Sequence, residues 1–248
     1  MARVVVVKLG GSVITDKTKE FTYRQDVVSA LAEEIASSNI RAAIVHGGGS
    51  FGHPIATKYG LSSSSYTRSP DGVWHTRSAM FELNQMVCRT MHESKLRPYP
   101  FSPFSMLSLG TRKAVSSWLQ GLIRLGITPV TFGDVILHRR GFTILSGDSI
   151  AFELSKILRP ERCIFAMDVD GLHERDSSVI IPEISCKKLS KLYYDKSRDA
   201  TGGMKKKIQM ASRIASLGIE VRFVSGYRRN EFAKALKGEE FYGTRIVR

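Results

Sequence analysis

Five short apolar runs constrain the fold of this chain more than any other feature of its sequence. They are rich in Val and Ile, and polar residues do not alternate with apolar ones along them. The runs cover residues 4–9, 42–46, 127–132, 163–167 and 219–224. Strands that helices cover on both faces have this composition, because all of their side chains are buried. The runs therefore predict the strands of a parallel sheet.

Helical patterns lie between these runs. Apolar residues recur every three or four positions within residues 27–35, 115–122, 150–158 and 204–217. Residues 22–25 (TYRQ) have the form of a capping box before the first of these helices, and Gly126 and Gly218 stand where helix C-caps belong. Strands that alternate with helices predict a mostly parallel sheet with helices on both faces.

The composition is that of a globular protein with an excess of positive charge. The chain has 248 residues, a length that suits one large α/β unit or two lobes. Lys and Arg number 37 against 23 Asp and Glu, which gives a net charge of +14. This charge favours polyanionic partners or phosphorylated metabolites, with a basic surface that maintains solubility as the alternative.

Cysteine and histidine usage gives no sign of a disulfide or a metal site. Cys88, Cys163 and Cys186 show no CxxC spacing, so a reducing, cytoplasmic environment is expected. The histidines have no spacing suited to a transition metal, and no metal-ligating residues are predicted. The valine-rich start is too short for a membrane span, so no membrane partner is expected.

A glycine-rich turn follows the second predicted strand. Residues 46–53 (HGGGSFGH) match the pattern GxGxxG. A dinucleotide site needs an acidic residue about 20 positions later at a strand end, but the first acid after Gly52 is Asp71, in a Ser/Pro/Gly loop. NAD binding is therefore excluded. A P-loop is also excluded, because the sequence contains no Gly-Lys dipeptide.

Two further turns follow predicted strands, at residues 8–12 (KLGGS) and 146–148 (SGD). Glycines let backbone N–H groups approach an anion, and the positive end of a following helix adds to the attraction. Turns at the carboxyl edge of a parallel sheet meet at the usual ligand site of open α/β folds. We expect the three glycine turns to converge around phosphate.

One predicted helix, residues 73–93, has two apolar stripes. One stripe contains Met80, Leu83, Val87 and Met91, and the other contains Trp74 and Phe81. The second face either packs against the body of the protein or a dimer partner, or lines an apolar ligand pocket.

Five motifs together resemble the amino acid kinase superfamily in order and spacing and, within it, the isopentenyl phosphate kinases. The motifs are residues 8–12 (KLGGS), 47–53 (GGGSFGH), 146–148 (SGD), 168–171 (DVDG) and 201–207 (TGGMKKK). The most specific element is the histidine, His53, that ends the glycine loop.

The resemblance implies an open αβα sandwich with a central, mostly parallel sheet. It implies that residues 1–145 form a lobe that binds the phosphoryl acceptor and residues 146–248 a lobe that binds ATP. It further implies a homodimer, the use of Mg²⁺, and ATP-dependent phosphorylation of isopentenyl phosphate to isopentenyl diphosphate.

The resemblance also assigns roles to residues of this chain. The implied catalytic residues are Lys8, Lys17, His53 and Asp148, with Lys17 stabilising the moving phosphoryl group and Asp148 organising the lysines. The implied nucleotide-binding residues are Lys8, Gly10, Gly11, Gly49, Asp168, Gly202, Gly203 and Lys207. The implied acceptor-binding residues are Gly48, Gly52, His53, Gly147 and Asp148, and an apolar slot for the alkenyl tail is expected at Trp74, Met80, Phe81 and Leu83.

Other functions remain open on the sequence alone. A sister kinase with UMP, a phosphonate antibiotic or an amino acid as acceptor is one alternative, and Arg68, Arg77 or Arg89 could clamp a carboxylate. A non-catalytic nucleotide or nucleic-acid binder is another, favoured by the net charge and by the basic pair at residues 228–229. We expect no nucleic-acid partner, because the aromatic residues do not interleave with the basic clusters as stacking platforms would.

Overall fold

The computed structural model describes residues 4–108, 110–174, 177–189 and 202–248. Eight strands form one sheet in the order β3-β4-β2-β1-β7-β9-β10-β8, and β5 and β6 form a separate hairpin. The strands are β1 (Val4–Leu9), β2 (Arg41–His46), β3 (Pro98–Pro100), β4 (Thr128–Phe132), β5 (Asp134–His138), β6 (Gly141–Leu145), β7 (Arg162–Met167), β8 (Glu183–Ser185), β9 (Glu220–Ser225) and β10 (Gly243–Val247).

The large sheet is mostly parallel, as the apolar runs predict. All pairs in it are parallel except the pair formed by β9 and β10. Strand β1 lies between β2 and β7, where Val7 is in register with Ile44 on one side and Ile164 on the other. The sheet is therefore continuous between the first and the second half of the chain.

Helices cover both faces of the sheet. They are α1 (Gly11–Ile14), α2 (Gln25–Ser37), α3 (Gly49–Lys58), α4 (Pro70–Glu93), α5 (Pro103–Ser108), α6 (Arg112–Arg124), α7 (Gly147–Leu158), α8 (Gly202–Ser216) and α9 (Glu231–Lys237). None of these described helices is long and apolar enough to cross a membrane.

The two largest apolar clusters of the described residues lie one on each face of the sheet. Val6 and Phe165 belong to the cluster that packs under α6, α7 and α8. Val7 and Ile164, their neighbours along the strands, belong to the cluster under α2, α4 and α9. Successive residues of one strand are thus buried on opposite faces, which explains why these runs are apolar without alternation.

The helix boundaries confirm two of the cap predictions and correct a third. Gly126 and Gly218 have positive φ angles of 76° and 81° after the ends of their helices, as expected for C-caps. The predicted capping box is wrong, because the N-cap of α2 is Arg24 and no side chain caps it. The Thr22 carbonyl instead accepts a hydrogen bond from the Asp16 amide at 2.9 Å, which closes the loop of residues 16–22 before α2.

Candidate active site

The glycine turns lie side by side at the carboxyl edge of the sheet, as the sequence predicts. The Gly10 amide donates to the carbonyl of Ala166 on β7 at 2.9 Å, and the Gly47 amide donates to that of Leu9 on β1 at 3.0 Å. A β-carbon added to Gly147 would lie 3.0 Å from the His46 carbonyl oxygen. The three turns that follow β1, β2 and β6 therefore share one edge.

Close backbone contact explains why two of these turns require glycine. A β-carbon on Gly11 would collide with the backbone nitrogen of Gly49, and one on Gly49 would collide with Oγ1 of Thr15. Gly49 also has a φ of +47°, which disfavours other residues. The Thr15 hydroxyl fastens the turns together, since it donates to the Gly11 carbonyl at 2.7 Å and accepts from the Ser50 amide at 2.9 Å.

Lys8 and Asp148 form a buried ion pair at this edge. Lys8 shares a strand face with Val6, on the side of the sheet where α7 packs, and its Nζ lies 2.7 Å from Oδ1 of Asp148 in the first turn of α7. The two side chains are only 6% and 11% exposed. Burial alone would raise the pKa of Asp148, but the charges of Lys8 and Lys207 lower it and keep the carboxylate ionised.

Lys17 and Asp168 form a second ion pair that joins the two halves of the chain. The Lys17 Nζ donates to Oδ2 of Asp168 at 2.6 Å, although the Lys17 side chain is 64% exposed. Asp168 follows β7, which is the neighbour of β1 in the sheet. Partial burial would raise the pKa of Asp168, yet the hydrogen bond and the charge of Lys17 lower it.

Lys207 and His53 complete the group of basic side chains. Burial, followed by the charge of Lys8, lowers the pKa of Lys207 to about 8, against the opposing effect of Asp148. The His53 side chain, on α3, is exposed. Its pKa is nevertheless lowered by the partial loss of hydration among neighbouring groups, and the charge of Lys8 adds to this effect.

The structure therefore brings the predicted charged residues together at the carboxyl edge of the sheet. Lys8, Lys17 and Lys207 outnumber the two carboxylates of Asp148 and Asp168 that pair with them. An excess of positive charge beside several backbone turns suits a ligand with many negative oxygens, because burying cations without counter-charges is costly.

The apolar slot residues are spread more widely than the charged ones. Met80 packs against the glycine turn, where its Sδ would lie 2.9 Å from a β-carbon added to Gly48 and 2.8 Å from one added to Gly52. Phe81 is 43% exposed and packs edge-on against Phe132.

The other two predicted slot residues, Trp74 and Leu83, differ from each other in burial, and the lysine-rich motif is only partly described. Leu83 is fully buried in the core under α2 and α4, and Trp74 is 68% exposed. Gly202 and Gly203 begin α8, whereas Thr201, from the same motif, lies outside the described residues.

Sequence reasoning missed several polar residues that shape the site. Asp134, which follows β4, accepts hydrogen bonds from Arg77 at 3.1 and 3.2 Å and from Ser102 at 3.0 Å. The signal for Asp134 was an acid two residues beyond the end of a buried strand. Buried His46 lies 3.1 Å from both the Gly47 carbonyl and Oδ1 of Asn84.

The described residues offer no cluster that would hold a metal ion by protein ligands alone. Nowhere in the described ranges do three His, Cys, Asp or Glu side chains come together in this way. The two carboxylates of the site, Asp148 and Asp168, are each paired with a lysine.

Comparison with known proteins assigns this chain and its fold to a family. The model for the amino acid kinase family matches residues 3–225. The chain therefore belongs to the amino acid kinase family, as its motifs suggest.

Within that family, the chain is similar to isopentenyl phosphate kinases. It is 32% identical to the enzyme of Methanothermobacter thermautotrophicus, over 98% of this chain and 99% of that protein. It is 31% identical to the enzyme of Thermoplasma acidophilum, over 98% and 100%. An X-ray structure of isopentenyl phosphate kinase matches with a TM-score of 0.79 at 29% identity, covering 98% of this chain and 100% of that one.

Proposed function

We propose that this chain transfers the γ-phosphoryl group of ATP to isopentenyl phosphate and forms isopentenyl diphosphate. The observation that carries the proposal is the gathering of Lys8, Lys17 and Lys207 beside the glycine turns at one edge of the sheet. The similar proteins named as isopentenyl phosphate kinases supply the acceptor.

The chemistry requires charge neutralisation and alignment. The second pKa of a phosphate monoester is about 6, so the attacking oxygen is already anionic at pH 7 and no general base is needed. That oxygen forms a bond to the γ-phosphorus while the bond to the bridging oxygen breaks, and ADP leaves with the electron pair. Two polyanions must approach in line, and lysines and backbone amides offset their repulsion.

We divide the roles between the two halves of the chain. Residues 1–145 hold the acceptor, with the glycine turn at Gly48 and Gly52 and the His53 ring at its phosphate. Residues 146–248 hold ATP, with Asp168, Gly202, Gly203 and Lys207 at the nucleotide. Lys8, Gly10, Gly11 and Gly49 lie between the two phosphates, where Lys17 stabilises the moving group, and Gly147 with Asp148 orients Lys8.

Mg²⁺ belongs to this proposal as the ion that ATP carries. The residues present do not fit a resident metal site, since Asp148 and Asp168 already pair with lysines. Mg²⁺ in nucleotide sites is commonly held by phosphate oxygens and water with one or two carboxylates. When bound, it supplies neutralisation of phosphate charge. The homodimer and the cytoplasmic location remain parts of the proposal.

Replacing His53 with alanine should raise the KM for isopentenyl phosphate about 10- to 100-fold, because a hydrogen bond to a charged group contributes about 1.5–3 kcal/mol. The KM for ATP should stay within twofold of wild type. His75→Ala is the matched control, since His75 is an exposed histidine that stacks on Tyr59 at 5.7 Å. An unchanged acceptor KM in His53→Ala would remove His53 from the site.

Replacing Met80 with alanine should broaden acceptor length. The change opens space beside Gly48 and Gly52, and kcat/KM for a ten-carbon prenyl phosphate relative to isopentenyl phosphate should rise about tenfold. Met91→Ala is the control, because it opens a comparable space in the core on the same helix. An unchanged preference in Met80→Ala would place the alkenyl slot elsewhere.

ATP binding should weaken as the pH rises through the pKa of Lys207, which is about 8 in the free protein. The protonated amine attracts phosphate, so deprotonation removes an attraction, and Kd should increase about tenfold between pH 7 and pH 9. Calorimetric titration measures this directly. Lys207→Arg stays charged and should show a flat profile, whereas a flat profile in the wild type would contradict the assignment.

A panel of acceptors separates the proposal from its alternatives. ADP release is expected with isopentenyl phosphate and Mg²⁺, and only weakly with UMP, a phosphonate or an amino acid. The structure disfavours an amino acid acceptor at Arg77, because Asp134 already engages that guanidinium through two hydrogen bonds. Salt-dependent RNA binding on filters without ATP turnover would favour a nucleic-acid binder instead.

A further inference from the structure

The segment that carries Lys17, residues 15–23, is held at its ends and by a turn around Asp16. Thr15 and Tyr23 form an antiparallel bridge. The Asp16 carboxylate accepts hydrogen bonds from the backbone and hydroxyl of Thr18 at 2.9 and 2.7 Å. Lys17 nevertheless projects from an exposed turn, so its position depends on what the rest of this segment contacts.

Tyr227, which follows β9, reaches this segment from the second half of the chain. Its hydroxyl donates to the Ser12 carbonyl at 2.8 Å and accepts from Nη1 of Arg24 at 2.7 Å. The Arg24 guanidinium lies 5.6 Å from the centre of the Tyr227 ring, and its Nη2 lies 3.7 Å from Oδ1 of Asp16. Tyr227, Arg24 and Asp16 thus form a continuous connection, the Tyr227 strut, that ends beside Lys17.

The Tyr227 end of the strut lies next to Asp168, the partner of Lys17. Ser12, whose carbonyl receives the Tyr227 hydroxyl, contributes a side-chain hydrogen bond to Asp168. Gly226, which precedes Tyr227, packs so closely on Val13 that a β-carbon on Gly226 would collide with the Val13 side chain. The Gly226 amide donates to the Met167 carbonyl at 2.8 Å. The turn that carries Tyr227 is therefore fixed against α1 and β7.

We propose that Tyr227 is a positioning residue for phosphoryl transfer, which holds the Lys17 segment so that the Lys17 ammonium stays between Asp168 and the transferred group. This inference rests on the proposed function. The Tyr227 side chain is connected to Lys17 through Arg24 and Asp16. Tyr227 therefore affects the rate of phosphoryl transfer and not the affinity for the acceptor. Tyr227 is 42% exposed, and hydrogen bonds at such a surface contribute little to global stability.

The test is a double-mutant cycle with Tyr227→Phe and Lys17→Ala. Tyr227→Phe removes only the hydroxyl and should lower kcat about tenfold, with the KM for isopentenyl phosphate within twofold. In the Lys17→Ala background the same change should have no further effect on kcat. Tyr242→Phe is the matched control, because Tyr242 is similarly exposed and lies beneath Arg228 at 4.6 Å; its kcat should equal that of wild type.

Hydrogen exchange supplies a readout that does not need activity. Amide exchange within residues 15–23 should accelerate in Tyr227→Phe and not in Tyr242→Phe, while Tm stays within about 3 °C of wild type. A wild-type kcat in Tyr227→Phe, an equal loss of kcat in both backgrounds, or unchanged exchange in this segment would each overturn the inference. An inactive wild type would instead refute the proposed function, and the exchange measurement would still decide the role of the strut.

Discussion

Replacing Lys17 with alanine should lower kcat about 10²- to 10³-fold without unfolding the protein. Two unit charges 4 Å apart interact by about 4 kcal/mol at an effective dielectric of 20, and removing one donor from a developing negative charge typically costs this much in rate. The fold should survive because the Lys17 side chain is 64% exposed, and surface ion pairs contribute little to stability.

Lys19→Ala is the matched control for this effect. It removes an exposed lysine from the same segment, so it changes the local charge equally without removing the contact with Asp168. Its kcat should stay within about twofold of wild type. A Lys17→Ala enzyme that turns over at the wild-type rate would show that this amine does not meet the moving phosphoryl group.

Replacing Lys8 with methionine should affect both stability and activity. The change leaves the Asp148 carboxylate buried without its partner, since its side chain is only 11% exposed. Breaking a buried ion pair from one side costs about 3–5 kcal/mol. Urea denaturation should therefore show a large loss in the free energy of unfolding, and the remaining folded enzyme should have lost at least tenfold in kcat.

A second substitution separates the two effects of the Lys8 change. Lys8→Met combined with Asp148→Asn removes the uncompensated charge, so most of the lost stability should return. The activity should not return, because the ammonium that faces the phosphates is still missing. A Lys8→Met protein as stable as wild type would contradict the buried ion pair, and an active double variant would exclude both residues from catalysis.

The central strands were predictable because burial on both faces leaves a strong sequence signal. Each of the five apolar runs starts and ends within one residue of an observed strand. Strand β3 was missed because it has three residues, two of them proline. This composition is typical of a loop, and a sheet tolerates it only at its edge. The β5–β6 hairpin packs outside the main sheet and is largely half-buried, so it lacks the continuous apolar pattern.

The site was predictable in its parts, but the pairing of Lys17 with Asp168 was not. The glycine turns carry a local signature because they depend on backbone conformation and close packing. The contact between Lys17 and Asp168 joins residues 151 positions apart, and it exists because β7 lies next to β1 in the sheet. The contact between Arg77 and Asp134 is also long-range, because it depends on how α4 crosses the end of β4. Strand order and helix crossing are global properties that no local pattern contains.

A crystal structure with isopentenyl phosphate and a non-hydrolysable ATP analogue would test the central claim most directly. We expect the γ-phosphate within about 3 Å of the Lys8 and Lys17 amines, and the acceptor phosphate within hydrogen-bonding distance of His53 and the turn at residues 48–52. An acceptor oxygen aligned with the γ-phosphorus would support charge neutralisation as the basis of catalysis. Two ligands bound in separate places, with these side chains facing neither phosphate, would contradict it.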